Sequence, residues 1–224
     1  AGEFQKWAQS PEMDLLQGTI LVAKIQYPEL NPSPIHEELE KIRRDIWLEL
    51  NSSLTALEKV KIINHVIFTL HGYKPDTSNY FAPKNYFINT LIETKQGGPI
   101  ILSLFYAIIA QKLGLPIYCV NLPHNFVLGY KDRYYQKTTD EPAEEKQSIL
   151  FYINPFNQGS LFSAKEIELF LKQQKIDDEL SYYLPCNNKE AILQLIYNAS
   201  VALQRSNRQN KAILFTRIHD LLSK

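Results

Sequence analysis

Cysteine is scarce in this chain, with two among 224 residues, and that scarcity removes several protein classes. Cys119 and Cys186 cannot build the disulfide framework of a small secreted domain. Neither belongs to a Cys-x-x-Cys pair, so a structural zinc site is not indicated. A surplus of one charge is missing too, since 24 Lys+Arg balance 24 Asp+Glu. A chain of zero net charge is expected to bind neither nucleic acid nor an anionic membrane over a broad surface. The longest apolar run, 99–110, is interrupted by Ser103 and is too short to cross a bilayer. His36, His65 and His71 lack metal-ligand spacing. There is no Walker loop, dinucleotide fingerprint, Gly-x-Ser-x-Gly elbow or zinc-helix motif. No metal and no cofactor are therefore expected. No segment reads as a secretory leader, and the compartment reads as cytoplasmic.

Apolar and aromatic residues are plentiful, at 45% and 12%, enough to bury a full core. Met13 to Ile25 carries apolar residues at helical spacing. Ser33-Pro34 reads as an N-cap followed by a first-turn proline, opening an amphipathic helix through Leu50. Thr55 with Glu58 reads as a capping box, and Gly72 as the left-handed end of that helix. Lys84 to Thr94 predicts a short helix. Pro99 then starts a helix to Leu113 that is apolar all round, which belongs in the middle of a domain. Strands are predicted at Ile117 to Val120, Asn125 to Tyr130 and Ser148 to Ile153, in one antiparallel sheet. Between them, 132–147 reads as a mobile hairpin excursion. Ser163 with Glu166 predicts a further capped helix to about Gln174, and 190–204 with 209–222 predict a helical hairpin. Helices, one buried helix, strands and more helices make an α+β protein. The expected division is a helical extension at 1–30, a core at 31–176 and a helical hairpin at 177–224.

Three segments look built around a catalytic triad that lacks its attacking residue. They are Gly97-Gly98-Pro99 leading to Leu113-Gly114-Leu115-Pro116, then Pro123-His124-Asn125-Phe126-Val127, then Tyr152-Ile153-Asn154-Pro155. A thiol in the first turn of a helix is held toward thiolate by the helix dipole. A histidine on a neighbouring strand takes its proton, and a carboxylate on the next strand orients that histidine.

On these segments the chain resembles the transglutaminase-like superfamily, and more narrowly its bacterial SirB branch, whose members carry tetratricopeptide repeats. Asn79-Tyr80, 85–93 and Phe156-Asn157-Gln158-Gly159 extend the likeness, which covers Leu15 to Gln174. The resemblance implies a papain-like core, a buried helix against a small antiparallel sheet. It also implies a cysteine fifteen residues before Gly114, where this chain has Pro99. The family histidine falls on His124, and the family aspartate on Asn154.

Proline has neither thiol nor backbone N–H, and asparagine cannot offset an imidazolium charge. The expectation is a pseudoenzyme with a degenerate triad at Pro99, His124 and Asn154. Its former active-site cleft would hold a protein or peptide-like ligand, with Ser103, Cys119, Asn89 and Glu93 as candidates to line it. Two alternatives stand beside it: a hydrolase or acyltransferase using Ser103 or Cys119 with His124, and a purely structural module of a longer chain. For Ser103 the non-catalytic expectation is a hydroxyl bonded to the Pro99 carbonyl. The aromatics Tyr80, Phe81, Tyr86, Phe87, Tyr182 and Tyr183 read as core rather than groove.

Overall fold

The helix at the centre is dictated by its sequence. In the computed structural model, which describes residues 2–138 and 142–223, it runs Pro99–Lys112 with Pro99 to Ala110 buried. Proline's fixed φ suits the first turn. Gly114, at φ +69°, closes the helix, with Leu115 N–H donating to Ala110 C=O at 2.9 Å and Gly114 N–H to Gln111 C=O at 2.9 Å. That pair of bonds is a Schellman motif, and Pro116 prevents further winding.

In chain order the elements are α1 (Gly2–Gln9), α2 (Leu15–Gln26), α3 (Ser33–Glu49), α4 (Ala56–Asn64), β1 (Lys74–Pro75), α5 (Ile88–Thr94) and β2 (Gln96–Gly97). The central helix is α6 (Pro99–Lys112). After it come β3 (Ile117–Leu122), β4 (Asn125–Lys131), β5 (Ile149–Asn154), β6 (Ser160–Phe162), α7 (Ala164–Gln174), α8 (Asn188–Arg205) and α9 (Gln209–Leu222). The main sheet is antiparallel in the order β3-β4-β5-β6, and β1 and β2 form a separate short parallel pair.

Strand alternation sorts the sheet's side chains onto two cores. Cys119, Phe126, Leu128 and Ile153 join the main core with α6. Val120, Val127 and Tyr152 face α7 and pack with Ile167, Leu171 and Tyr183. The main core also takes Trp7 from α1, Ile20 from α2, Ile192 from α8 and Phe215 from α9. The architecture is α+β, as expected. Among the described residues no helix is long and apolar enough to cross a membrane.

Several local expectations shift. Helix α1 and strand β6 were not predicted; β6 is three residues, two of them exposed, too short to show an alternation. Ser33 lies inside the first turn of α3, after a Pro32 cap that makes no side-chain bond. The 84–94 helix is split into a 3-10 turn at Pro83–Tyr86 and α5. The helix begun by the Thr55–Glu58 box passes into a π-helical stretch, His65–Leu70, before Gly72 turns at φ +72°. In the excursion, Asp132 N–H bonds Ser148 C=O at 2.8 Å and 142–148 form a 3-10 helix; its tip, 139–141, lies outside the described residues.

Candidate functional site

β3 and β4 are joined by two residues, Pro123 and His124, with Leu122 opposite Asn125. Proline at the first turn position and φ +61° at His124 form the pattern of a type II turn. The imidazole therefore sits exposed at a hairpin tip, one residue before the strand, which starts at Asn125 as expected. With Pro123 fixing a negative φ at the first position, the type II turn needs a left-handed residue at the second, and this decides where His124 stands.

Asn154 ends β5, and its Oδ1 accepts the Phe156 N–H at 3.1 Å. That bond caps the 3-10 turn Pro155–Asn157, which uses the side chain locally. With Ile153 opposite Leu128, Asn154 lies level with Val127. At about 3.3 Å per residue, His124 is roughly 10 Å further along β4. No hydrogen bond joins the two side chains.

The other candidates do not come to the cleft. Ser103 is fully buried, and its hydroxyl donates to Phe126 C=O at 2.8 Å, not to Pro99 as expected. It fastens α6 to β4. Cys119 faces the core, and burial pushes its thiol well above the ordinary range. Asn89 is buried in α5, and Glu93 is exposed on that helix. The Cys186 thiol is pushed up to about 12, first by burial and then by Glu190; its N–H donates to Cys119 C=O at 2.9 Å. For Ser103 the physical reason is that α6 is shielded on every side, so a residue one turn beyond Pro99 points into packing rather than space.

What does open beside Pro99 is a cleft of about 570 Å³. Pro99 and Ile100 form its floor and the hairpin tip, with Asn121, His124 and Asn125, one wall. Tyr80, Phe81 and Tyr86 form the second wall, and Tyr182, Gln194, Asn198 and Arg205 the third. Thus Pro99 and His124 meet at one cleft, whereas Asn154, Ser103, Cys119, Asn89 and Glu93 are not among its lining residues. Four of the aromatics read as core, Tyr80, Phe81, Tyr86 and Tyr182, line it instead; Phe87 and Tyr183 are core. Sequence reasoning missed Gln194, Asn198 and Arg205. The available signal was a polar stripe on one face of a helix otherwise rich in Ala, Ile and Leu. Among the described residues, no group of three or more His, Cys, Asp and Glu is arranged to hold a metal.

The aromatic wall hangs from Asp76. Its Oδ1 accepts the Ser78 hydroxyl at 2.6 Å and the Ser78 N–H at 3.1 Å, and Lys84 Nζ lies 3.1 Å from Oδ2. The Ser78 hydroxyl first, and then Lys84, hold this carboxyl far below the usual carboxylate range. Because the folded carboxyl holds its proton less tightly than the unfolded one, its contribution is complete above about pH 4 and fades as pH falls. Asp76→Asn is expected to lower the urea midpoint at pH 7 and to flatten the acid limb between pH 5 and 2, relative to the parent. An unchanged acid limb would show that the pairing contributes nothing.

Comparison with known proteins follows the same elements. The transglutaminase-like superfamily model matches residues 33–197, from α3 into α8. The chain is 22% identical over 210 residues to a UPF0162 protein of Xylella fastidiosa, covering 89% of this chain and 68% of that one. It is 23% identical to a UPF0162 protein of Vibrio cholerae, over 73% of this chain and 55% of that one. A 114-residue stretch, 50% of this chain, is 29% identical to mouse F-box only protein 21, of which it covers 17%. The chain thus spans between about half and two thirds of the length of the bacterial relatives. No solved structure matches it. With three quarters of the chain matched and the buried helix, sheet and cleft arranged as described, the protein belongs to the transglutaminase-like superfamily.

Proposed function

We propose that this is a non-catalytic transglutaminase-like domain whose cleft binds a protein or peptide-like ligand. One observation carries the reading: the residues lining the cleft include no Ser, Thr or Cys, and Pro99 occupies the helix start. A nucleophile must come within hydrogen-bond reach of its base, and the buried Ser103 and Cys119 offer none to His124. A cleft without Ser, Thr or Cys but with aromatic and amide side chains suits binding. Within the superfamily we read it as a member of the bacterial SirB-like branch, on the sequence segments around Pro99, His124 and Asn154. It acts in the cytoplasm, which its two free cysteines favour.

The test is labelling with fluorophosphonate and chloromethyl-ketone probes, mapped to individual residues. The expected result is no labelling at Ser103 or Cys119 and no change on His124→Ala. Ser103→Ala is expected to cost about 1–3 kcal/mol of stability, because the Phe126 carbonyl loses its partner. Labelling of either residue that disappears with His124→Ala would establish an enzyme instead.

A further inference from the structure

We propose that the cleft takes an extended peptide segment and reads an acidic side chain in it through Arg205; this rests on the binding role just assigned. Among the residues lining the cleft Arg205 is the only fixed charge, with no Asp, Glu or Lys beside it. Its guanidinium stacks over the Phe81 ring at 4.2 Å from the centroid. It makes no hydrogen bond or ion pair to another described residue. Stacking holds the guanidinium plane while leaving its N–H edges free, the arrangement that receives a carboxylate. The chain as a whole is neutral, so its net charge does not draw an acidic ligand and the attraction rests on Arg205.

The peptide part of the proposal comes from amides. Gln194, Asn198 and Arg205 lie along one side of α8, about 16 Å from first to last at 1.5 Å per residue. That length accommodates about five residues of extended chain. Asn121 and Asn125 face them from the hairpin. The side-chain amides of Gln194, Asn121 and Asn125 make no hydrogen bond to another described residue. Asn198 uses its Nδ2 on the Gln194 carbonyl at 2.8 Å and keeps its oxygen. A primary amide presents donors and an acceptor together, the complement of a peptide group. Asn121 and Gln194 also border an adjoining depression with Leu193 and Tyr197, so the track continues beyond the cleft. One isolated cation does not suit a nucleic-acid backbone, which needs a row of them. Arg205 stands on the exposed rim at the end of α8, so the bound chain runs past it. The carboxylate it meets is therefore an internal Asp or Glu.

The experiment measures binding of two mixtures of dye-labelled hexapeptides, amidated at the C-terminus, with either Glu or Gln fixed at one internal position. A third mixture carries the Gln set with a free terminal carboxylate. The Glu set is expected to bind about tenfold or more tightly than the Gln set, less so as salt rises. Arg205→Gln should remove that difference with only a small drop in thermal midpoint from the lost Phe81 stack, and Asn198→Ala should weaken both amidated sets alike. Equal binding of the Glu and Gln sets overturns the role of Arg205 while leaving the binding function standing. Preference for the free-carboxylate set overturns the internal-residue reading. No binding of any set overturns the peptide proposal and removes the binding half of the function with it.

Discussion

Gly159→Ala is expected to lose about 4 kcal/mol of stability, although the residue lies in a short turn between β5 and β6. Gly159 has φ +74°, and a β-carbon there would lie 2.0 Å from Asn64 Oδ1. Asn64 cannot simply step aside. Its Nδ2 donates to the Gly159 carbonyl at 2.8 Å, and its Oδ1 accepts the Tyr106 hydroxyl at 2.9 Å. One amide thus ties the β5–β6 turn to α4 and to the buried face of α6. The left-handed backbone costs an L-residue about 1–2 kcal/mol, and each buried group left without a partner costs about 1–3 kcal/mol more. Urea titration of Gly159→Ala, Asn64→Ala and the double variant checks this. The two changes should be strongly non-additive, because both break the same hub. A loss below about 1 kcal/mol in Gly159→Ala would mean that the hub relaxes freely.

Phe105→Ala should be the other severe change, at about 3–5 kcal/mol. Phe105 is fully buried in the middle of α6, with its ring centroid 4.4 Å from that of Tyr73. Tyr73 in turn bonds Glu38 of α3 and Lys95 beside β2, so the cavity would open where three elements meet. Interiors packed this tightly relax only in part around a deletion. Tyr118→Ala, on a strand residue that is 37% exposed, serves as the control and should cost less than about 1 kcal/mol. Equal losses at the two positions would show that α6 is not the organising core. Since α6 also sets Pro99 at the cleft floor, ligand binding should fall with stability in Phe105→Ala and not in Tyr118→Ala.

Much of the frame was legible in the residues. The all-apolar run after Pro99 has no polar face to give to water, so it had to become the central helix. Thr55–Glu58 and Ser163–Glu166 form the capping boxes their spacing predicted, because that bond pattern needs only residues three apart. Strands β3, β4 and β5 follow from their alternation and β-branched content. The cleft was legible only in outline. The strand start at Asn125 was legible, but not the two-residue turn that lifts His124 to the tip. Ser103 was weighed for attack, yet its hydroxyl meets a carbonyl 23 residues away. Arg205 lies 106 positions after Pro99 in the sequence but lines the same cleft, and no local pattern relates them.

Local chemistry, then, was enough to determine the central helix, two capping boxes, the α+β class and the absence of a nucleophile at Pro99. Those properties depend on neighbours a few residues apart, whose interactions are repeated in any chain that carries them. Tertiary structure alone decided which polar groups face the cleft, which are sealed beneath it, and that Asn64 joins three distant segments. Such pairings arise when elements dock, and side-chain direction after docking depends on the packing of the whole core rather than on any one stretch of it.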